Sequence, residues 1–355
     1  MDSAVGVGVI GAGYWGSKLI HEYTAQRDKG NIKLLRVCDS SLSALLAHQE
    51  EFSIYDQMLT QSVEDLIKDT RILAVHIATP NRTHYALAKM ALQGGKDVLI
   101  EKPMTLHSSE AYELVDLASS LGRVLHVGHI FRFNSALRKA VQMLRDGAIG
   151  KTLYARVQWT DHAYYPDRDI VFDLGPHPID VLNQVLEDWP TQVSGFARAY
   201  RNSGEHPEVA YGIAEFRGGV FAHIELSWLQ PGKVREVSIV GTDGKLSVDC
   251  VGQHVSVTRP KGTEEIPIVP NNTIEAEIEH FIDCVANRLT STGGALVGAR
   301  TVEVLENLRA SIWERPIPIL PPQDSETVSI SGPQKVQIQD IEQHKSPGLR
   351  DAEGS

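Results

Sequence analysis

Residues 7–20, VGVIGAGYWGSKLI, decide the fold of this chain. An apolar run leads directly into three glycines, Gly11, Gly13 and Gly16, and a helical pattern follows them. Glycines in this spacing allow a tight turn, a close approach of a ligand to the backbone, and close packing of a helix on a strand. The stretch therefore predicts a buried strand, a glycine turn and a helix whose N-terminus binds an anion. The alternative is that the three glycines are ordinary turn residues.

A carboxylate stands at the end of the next apolar run. Asp39 follows the last glycine by about 20 residues, the spacing at which an acidic side chain binds the adenosine ribose of a dinucleotide. Two serines and no arginine follow Asp39 directly, so a 2′-phosphate would be repelled and left unpaired. The glycine turn and Asp39 together predict a dinucleotide site and favour NAD over NADP.

The pattern of apolar residues changes once along the chain. From Val5 to about His126, short apolar runs alternate with helical stretches, which predicts a doubly wound parallel sheet, an α/β arrangement. Longer alternating runs then follow one another directly and predict antiparallel hairpins in an α+β domain, closed by two helices within 273–289 and 298–314. We expect three segments: 1–126 as a cofactor domain, 127–320 as a substrate and oligomerisation domain, and 321–355 as a polar tail.

Composition excludes several classes of function. A net charge of −11 argues against a nucleic-acid binder, because neutralising phosphates requires clustered Lys and Arg. The N-terminus lacks a basic region ahead of its apolar run, and no window reaches the roughly 18 apolar residues of a membrane span. We therefore expect a cytoplasmic protein without membrane contact. Three scattered cysteines, Cys38, Cys250 and Cys284, lack metal-ligand spacing and are expected in the core, so no metal site is predicted.

Two further strand ends carry polar side chains. One strand ends at Thr79 and Pro80, ahead of Asn81 and His84, and strand ends of this kind face the ligand crevice. We expect Asn81 and His84 near the nicotinamide, with helix capping as the alternative for Asn81.

The next strand ends in Glu101, Lys102 and Pro103. Adjacent side chains on a strand point to opposite faces, which makes a simple ion pair between Glu101 and Lys102 geometrically poor. Pro103 restricts the backbone of Lys102, and the ammonium group is expected beside the nicotinamide, where it donates to a substrate hydroxyl.

Residues 169–187, DIVFDLGPHPIDVLNQVLE, offer a general base. Asp173, His177 and Asp180 lie close together in the sequence, and His177 and Asp180 are three apart on one helical face. A histidine held by a carboxylate is a competent base near neutral pH. The alternative is an aspartate that caps a helix and a histidine satisfied in the core.

These motifs, in this order, resemble the motif set of the Gfo/Idh/MocA oxidoreductases. The resemblance implies a Rossmann domain followed by a domain with a large open, mostly antiparallel sheet, through which the chains form dimers or tetramers. It also implies that Lys102 lies by the reacting carbon, that Asp173 and His177 form the catalytic Asp-x-x-x-His pair, and that His177 takes the hydroxyl proton. The implied cofactor residues are Gly11, Gly13, Tyr14, Trp15, Gly16, Asp39, Ser40, Thr79, Pro80, Asn81, His84, Glu101 and Lys102.

Within the family, VGHIFRFN and DIVFDLGPHPIDVL look most similar to the nucleotide-sugar branch. The implied reaction is NAD-dependent oxidation of C3 of UDP-N-acetylglucosamine. One departure concerns the substrate pocket, because AYYPDRDIVF replaces the usual glycine-rich lead-in. The alternatives are an inositol or free-sugar dehydrogenase of the same family and a non-catalytic NAD-sensing protein. The expected substrate residues, besides Asp173 and His177, are Arg132, Asn134, Tyr164, Tyr165 and Arg168, with surface exposure as the alternative for Arg168.

Overall fold

The glycine turn follows the first strand of a parallel sheet, as the sequence predicts. The structure is a computed structural model that describes residues 5–47, 49, 58–163, 165, 168–201 and 206–313. All of these residues belong to one compact unit. Two predictions, the substrate contact of Tyr164 and the polar tail 321–355, lie outside the described residues.

The first sheet contains six strands, β1 (Val5–Ile10), β2 (Ile32–Cys38), β3 (Leu59–Thr60), β4 (Ala74–Ile77), β5 (Asp97–Ile100) and β6 (Leu125–Val127). Their order is β3-β2-β1-β4-β5-β6, and every neighbouring pair is parallel. The order reverses beside β1, and such a reversal opens a crevice at the carboxyl ends of the strands. β1, β4 and β5 are buried along their whole length, as expected for a sheet covered on both faces.

Within the described part of this domain the sheet is accompanied by α1 (Tyr14–Asp28), α2 (Leu42–Leu46), α3 (Val63–Lys68), α4 (His84–Gln93) and α5 (Ser108–Ser120). α1 starts directly after the glycine turn and packs on β1 and β2, while α4 packs on β4 and β5. The predicted Rossmann arrangement is confirmed. The sequence pattern did not indicate β3, because two residues are too few to show alternation.

The second sheet has eight strands, β7 (Thr152–His162), β8 (Gln192–Arg198), β9 (Val209–Glu215), β10 (Phe221–Ser227), β11 (Leu229–Gly241), β12 (Lys245–Asp249), β13 (His254–Arg259) and β14 (Gly262–Ile266). Their order is β14-β13-β12-β11-β7-β10-β9-β8. All neighbours are antiparallel except β7 and β10, which are parallel. The predicted hairpins, β9 with β10 and β11 with β12, are both confirmed.

Helices cover one face of the second sheet and connect it to the first. They are α6 (Ser135–Arg145), α7 (Ile170–Leu174), α8 (Pro176–Leu186), α9 (Thr273–Asn287) and α10 (Ala295–Trp313). α6, α8 and α10 contact strands of the second sheet, whereas α9 packs on α1 and β1, and α10 also reaches α5 and β6. None of the helices in the described ranges combines the length and apolar character that crossing a membrane requires.

Candidate active site

A cleft of about 880 Å³ lies between the carboxyl edge of the first sheet and the helices α7, α8 and α10. It brings together twelve of the residues predicted for the site. These are Gly13, Tyr14, Trp15, Thr79, Pro80, Asn81, Glu101, Lys102, Tyr165, Arg168, Asp173 and His177. The other lining residues are Ala78, Arg82, Leu106, His107, Gly128, Ile130, Asp169, Phe172, His206 and Arg309.

The three glycines of the turn have different roles. Gly11 has a φ of +104°, and a Cβ there would lie 2.6 Å from the carbonyl oxygen of Ala78. A Cβ on Gly16 would lie 2.1 Å from the carbonyl oxygen of Gly11, so this glycine lets α1 pack against the turn. Gly13 lines the cleft, and a Cβ there would meet no protein atom within 4 Å. The backbone at Gly13 is therefore open to a ligand at the N-terminus of α1, as a dinucleotide diphosphate requires.

Asp39 holds the glycine turn in place. Its Oδ2 accepts a hydrogen bond of 2.7 Å from the amide of Ala12, and its Oδ1 accepts one of 2.8 Å from the amide of Ser41. An ionised carboxylate has about four acceptor sites, which leaves capacity for ribose hydroxyls. Ser40 is exposed beside it. The open backbone at Gly13 and this carboxylate at the end of β2 fit NAD.

His84 lies behind the cofactor side of the cleft rather than in it. Its ring is fully buried, with Nδ1 2.8 Å from the carbonyl oxygen of Pro103 and Nε2 2.9 Å from that of Thr79. Burial lowers the pKa of His84, so the ring is neutral and donates to one of the two carbonyls. This corrects the expectation that His84 meets the nicotinamide: it braces the two loops that follow β4 and β5.

Glu101 is turned into the protein beside the glycine turn. Its carboxylate accepts a hydrogen bond of 2.5 Å from Nε1 of Trp15 and lies 3.4 Å from Nε2 of His76. Burial acts to raise the pKa of Glu101, but its interactions with His76, Trp15 and the charge of Lys102 outweigh burial, and the pKa lies below its ordinary value. Glu101 is thus an ionised anchor for the indole of Trp15.

Lys102 and His177 both line the cleft. Nζ of Lys102 donates a hydrogen bond of 3.0 Å to the backbone carbonyl of Asp173, which fixes the ammonium group between the two sheets. The ring of His177 packs edge-on against Phe131, with 5.1 Å between centroids, and its buried Nδ1 has no hydrogen-bond partner among the described residues. Burial, and then the charge of Lys102, lowers the pKa of His177 well below its ordinary value. His177 is a neutral imidazole that can accept a proton.

The predicted support of His177 by a carboxylate does not match the structure. Asp173 places its Oδ1 3.4 Å from Nη1 of Arg168. Asp180 is buried and accepts hydrogen bonds from Nε of Arg132 at 2.6 Å and from Gln184 at 2.9 Å. Both carboxylates therefore have cationic partners of their own. Spacing along the chain placed them near His177 but could not indicate which partner each would take.

Arg132 and Asn134 also depart from the expectation, because both have structural contacts and neither lines the cleft. Besides its bond to Asp180, Arg132 donates to Oδ1 of Asn183 at 2.7 Å. Asn134 caps α6 by accepting a hydrogen bond of 3.1 Å from the amide of Leu137, and its Nδ2 donates to the carbonyl of Cys250. We therefore assign neither side chain to substrate binding.

Tyr165 and Arg168 form an outer part of the cleft wall. The guanidinium carbon of Arg168 lies 4.2 Å from the centroid of the Tyr165 ring, within cation–π range. The same ring meets Trp228 edge-on, with 5.5 Å between centroids. Both side chains line the cleft, and their contact with a substrate stays a prediction.

Several lining residues were not predicted from the sequence, above all Asp169 and Arg309. Asp169 caps α7 by accepting from the amide of Val171 at 2.8 Å, and a cap of this kind was visible in the pattern. Arg309 lies on the long helix α10, where an exposed arginine is ordinary and nothing local distinguishes it.

Comparisons with known proteins agree with this geometry. Residues 5–129 match the family model described as "Oxidoreductase family, NAD-binding Rossmann fold", and residues 137–247 match the GFO/IDH/MocA C-terminal domain. The chain is 29% identical to scyllo-inositol 2-dehydrogenase (NAD(+)) of Bacillus subtilis over 64% of this chain and 71% of that protein. It is 26% identical to UDP-N-acetylglucosamine 3-dehydrogenase of Acidithiobacillus ferrooxidans over 86% of this chain and 96% of that protein. A solved structure of the latter covers 87% of this chain and 98% of its own, with a TM-score of 0.77.

Proposed function

Because the chain belongs to the Gfo/Idh/MocA oxidoreductases, a family of NAD-dependent dehydrogenases that act on CH–OH groups, we propose that it oxidises the C3 hydroxyl of UDP-N-acetylglucosamine to the 3-keto nucleotide sugar. The observation that carries the reaction type is that one cleft is lined both by the neutral His177 and by Lys102, whose ammonium group is fixed by the carbonyl of Asp173. The similarity to a UDP-N-acetylglucosamine 3-dehydrogenase over nearly its whole length supports the substrate.

In this proposal Lys102 and His177 act on the same hydroxyl group of the substrate. Bound NAD supplies the hydride acceptor. Lys102 donates a hydrogen bond to the substrate oxygen and stabilises the negative charge that develops on it as its proton leaves. His177, kept neutral by burial and by the nearby ammonium group, takes that proton. Asp173 contributes by presenting its backbone carbonyl to Lys102 and its carboxylate to Arg168, and not by a bond to His177.

The cofactor side of the proposal rests on residues of the first sheet. The backbone at Gly13 and the N-terminus of α1 would hold the diphosphate, and Asp39 the adenosine ribose. Thr79, Pro80 and Asn81 would border the nicotinamide, with His84 bracing the loop behind them.

A second candidate within the same class is an inositol or free-sugar dehydrogenase. It is favoured by the 29% identity to a scyllo-inositol 2-dehydrogenase. That similarity covers less of this chain than the similarity to the nucleotide-sugar enzyme, and a cleft wall bearing Arg168 suits an anionic substrate better than a neutral polyol. A non-catalytic NAD sensor is the third candidate, and the arrangement of Lys102 and His177 argues against it.

A cofactor-reduction assay tests the proposed function. Purified protein is mixed with NAD and either UDP-N-acetylglucosamine, N-acetylglucosamine or scyllo-inositol, with and without a 2-oxo acid to recycle the cofactor, and reduced nicotinamide is followed by absorbance. We expect reduction with the nucleotide sugar and far slower reduction with the other two. Turnover of scyllo-inositol alone would refute the substrate and retain the reaction class. Bound NAD that no sugar or polyol reduces would favour the sensor.

We also propose that the chain forms a homo-oligomer through the uncovered face of the second sheet. Large apolar side chains on β7–β10 are 38–44% exposed there, which is unusual for a surface in permanent contact with water. They are Tyr154, Phe196, Tyr211, Ile213 and Phe221. Light scattering of the purified protein tests this, with a dimer or tetramer expected and a monomer contradicting it.

A further inference from the structure

Two arginines, Arg168 and Arg309, line the outer part of the cleft. Asp169 and Asp173 are four residues apart at α7, and each pairs with one arginine. Nε of Arg309 lies 2.8 Å from Asp169, and Nη1 of Arg168 lies 3.4 Å from Asp173. Asp169 is the N-cap of α7 and Asp173 lies within that short helix. The two carboxylates therefore hold both guanidinium groups at α7, on the wall of the same cleft.

Each guanidinium group also contacts an aromatic ring. Arg168 lies over the ring of Tyr165, and the guanidinium carbon of Arg309 lies 5.8 Å from the ring centroid of Phe172. Both arginine side chains are nevertheless 51% exposed. A guanidinium has five N–H donors and the carboxylate contacts use only part of them, so donors remain for a ligand. The two fixed guanidinium groups are therefore pre-organised to bind an anion that has several oxygen atoms.

The cleft differs in charge from the rest of the chain. Among the residues that the structure describes, four cationic side chains line it, Arg82, Lys102, Arg168 and Arg309, against three carboxylates, Glu101, Asp169 and Asp173. The whole chain carries −11. A local excess of cations on so acidic a protein favours an anionic ligand at this place.

The position of the pair separates it from the cofactor. The expected diphosphate site of NAD is at Gly13 and the start of α1, on the wall formed by the first sheet. Arg168 lies just before α7 and Arg309 lies on α10, so neither belongs to the first sheet or its turns. An anion held by the arginines would therefore belong to the substrate.

We propose that Arg168 and Arg309 form a subsite for the diphosphate of the substrate, and that Arg309 determines specificity for phosphate-bearing over neutral sugars. The inference rests on the proposed function and names the residues that recognise its substrate class. Planar guanidinium groups match phosphate oxygens in a two-point geometry, whereas a neutral polyol has no group that would exploit them.

Binding of UDP to the NAD-loaded protein, measured by calorimetry, tests the subsite. We expect R309Q to weaken UDP binding about tenfold or more, the loss of one hydrogen bond to a charged group, and R309K to weaken it less because the charge remains. The matched control is R300Q, on the same helix: Arg300 is 50% exposed and pairs with Glu303 at 3.0 Å, outside the cleft. It should bind UDP as the wild type does. Inorganic pyrophosphate should displace UDP.

The outcomes separate this inference from the proposed function. Equal UDP affinity in R309Q and wild type, no UDP binding by wild type, or failure of pyrophosphate to compete would each overturn the subsite. If R309Q turns over UDP-N-acetylglucosamine with an unchanged KM, the reaction stands and the subsite is wrong. If no nucleotide sugar is oxidised but UDP binds in an Arg309-dependent way, the subsite stands and the proposed reaction is wrong.

Discussion

The two walls of the cleft are built in different ways. The cofactor wall consists of strand ends and tight turns of one sheet, and its ligand contacts are expected largely from backbone atoms near Gly13 and Thr79. The substrate wall consists of side chains from separate segments, such as Tyr165, Asp173 and Arg309, held by ion pairs and ring contacts. A family can therefore keep the first wall constant for NAD and change substrate by replacing a few side chains on the second.

Lys102 lies where the two walls meet, and its removal should have the largest effect on activity. We expect K102A to lower kcat by about 10²–10⁴-fold, the usual contribution of a positioned acid–base group, while the dissociation constant of NAD changes far less. Steady-state kinetics measures kcat, and calorimetry measures the dissociation constant of NAD. The control is K89A, which removes an ion-paired lysine on α4, away from the cleft. A K102A variant with near wild-type turnover would contradict the mechanism.

Arg132 tests whether a residue next to the substrate wall contributes to stability rather than binding. Asp180 is only 1% exposed, so removing its partner in R132A leaves a buried carboxylate without its cation. We expect the free energy of unfolding to fall by about 3 kcal/mol, measured by urea denaturation. R145A, which breaks the exposed pair of Arg145 with Glu187, should change it by no more than about 0.5 kcal/mol. If R132A keeps its stability but shows a raised KM for the sugar, Arg132 is a substrate contact after all.

Alanine substitutions at Gly13 and Gly16, both on the cofactor wall, should affect ligand binding and folding separately. In G13A the new methyl group meets no protein atom within 4 Å and the backbone φ of −72° suits alanine, so stability should be kept. The methyl group faces the cleft, and NAD affinity should fall about tenfold. In G16A the methyl group would lie 2.1 Å from a backbone oxygen, and we expect a loss of about 1–3 kcal/mol of stability. Thermal unfolding measures the stability of the two variants, and titration with NAD measures their affinity for the cofactor. If G13A and G16A lost the same stability and the same NAD affinity, Gly13 would not be a ligand-binding position and Gly16 would not be a packing position.

The smallest effect is expected for K233Q, on the pH dependence of kcat/KM. The positive charge of Lys233 contributes to lowering the pKa of His177. Removing that charge in K233Q raises this pKa, so the neutral form that accepts a proton is lost at a higher pH. The acid limb of the kcat/KM profile should shift upward by a few tenths of a pH unit, as expected for a screened charge. A downward shift would show that His177 is not the group that titrates.

The sequence was informative where one short segment forms the structure by itself. The glycine turn, the strands ahead of Thr79 and Lys102, and the two closing helices follow from local patterns, and the structure contains all of them, although β4 and β5 end at Ile77 and Ile100, two residues before the predicted ends. NAD could be predicted because Gly13 and Asp39 follow β1 and β2, and the parallel pairing of these two strands brings both residues to the same edge of the sheet.

The remaining site residues depend on long-range packing, which spacing does not reveal. His84 and Arg132 were expected to meet ligands because of their place in motifs, but each is occupied by partners from another segment. Asn134 precedes a helical pattern, and that capping signal was the better guide to its role. Arg309 reaches the cleft only because α10 returns from the second sheet to the first, a feature that no local pattern on the helix indicates.

The most direct test uses UDP-N-acetylglucosamine that carries deuterium at C3. The labelled sugar is mixed with the protein and NAD, and both products are analysed by mass spectrometry. If Lys102 and His177 act on the C3 hydroxyl as proposed, the deuterium appears in the reduced nicotinamide and the sugar product is the 3-ketone. Reduced cofactor without deuterium, with the label retained on an oxidised sugar, would contradict it.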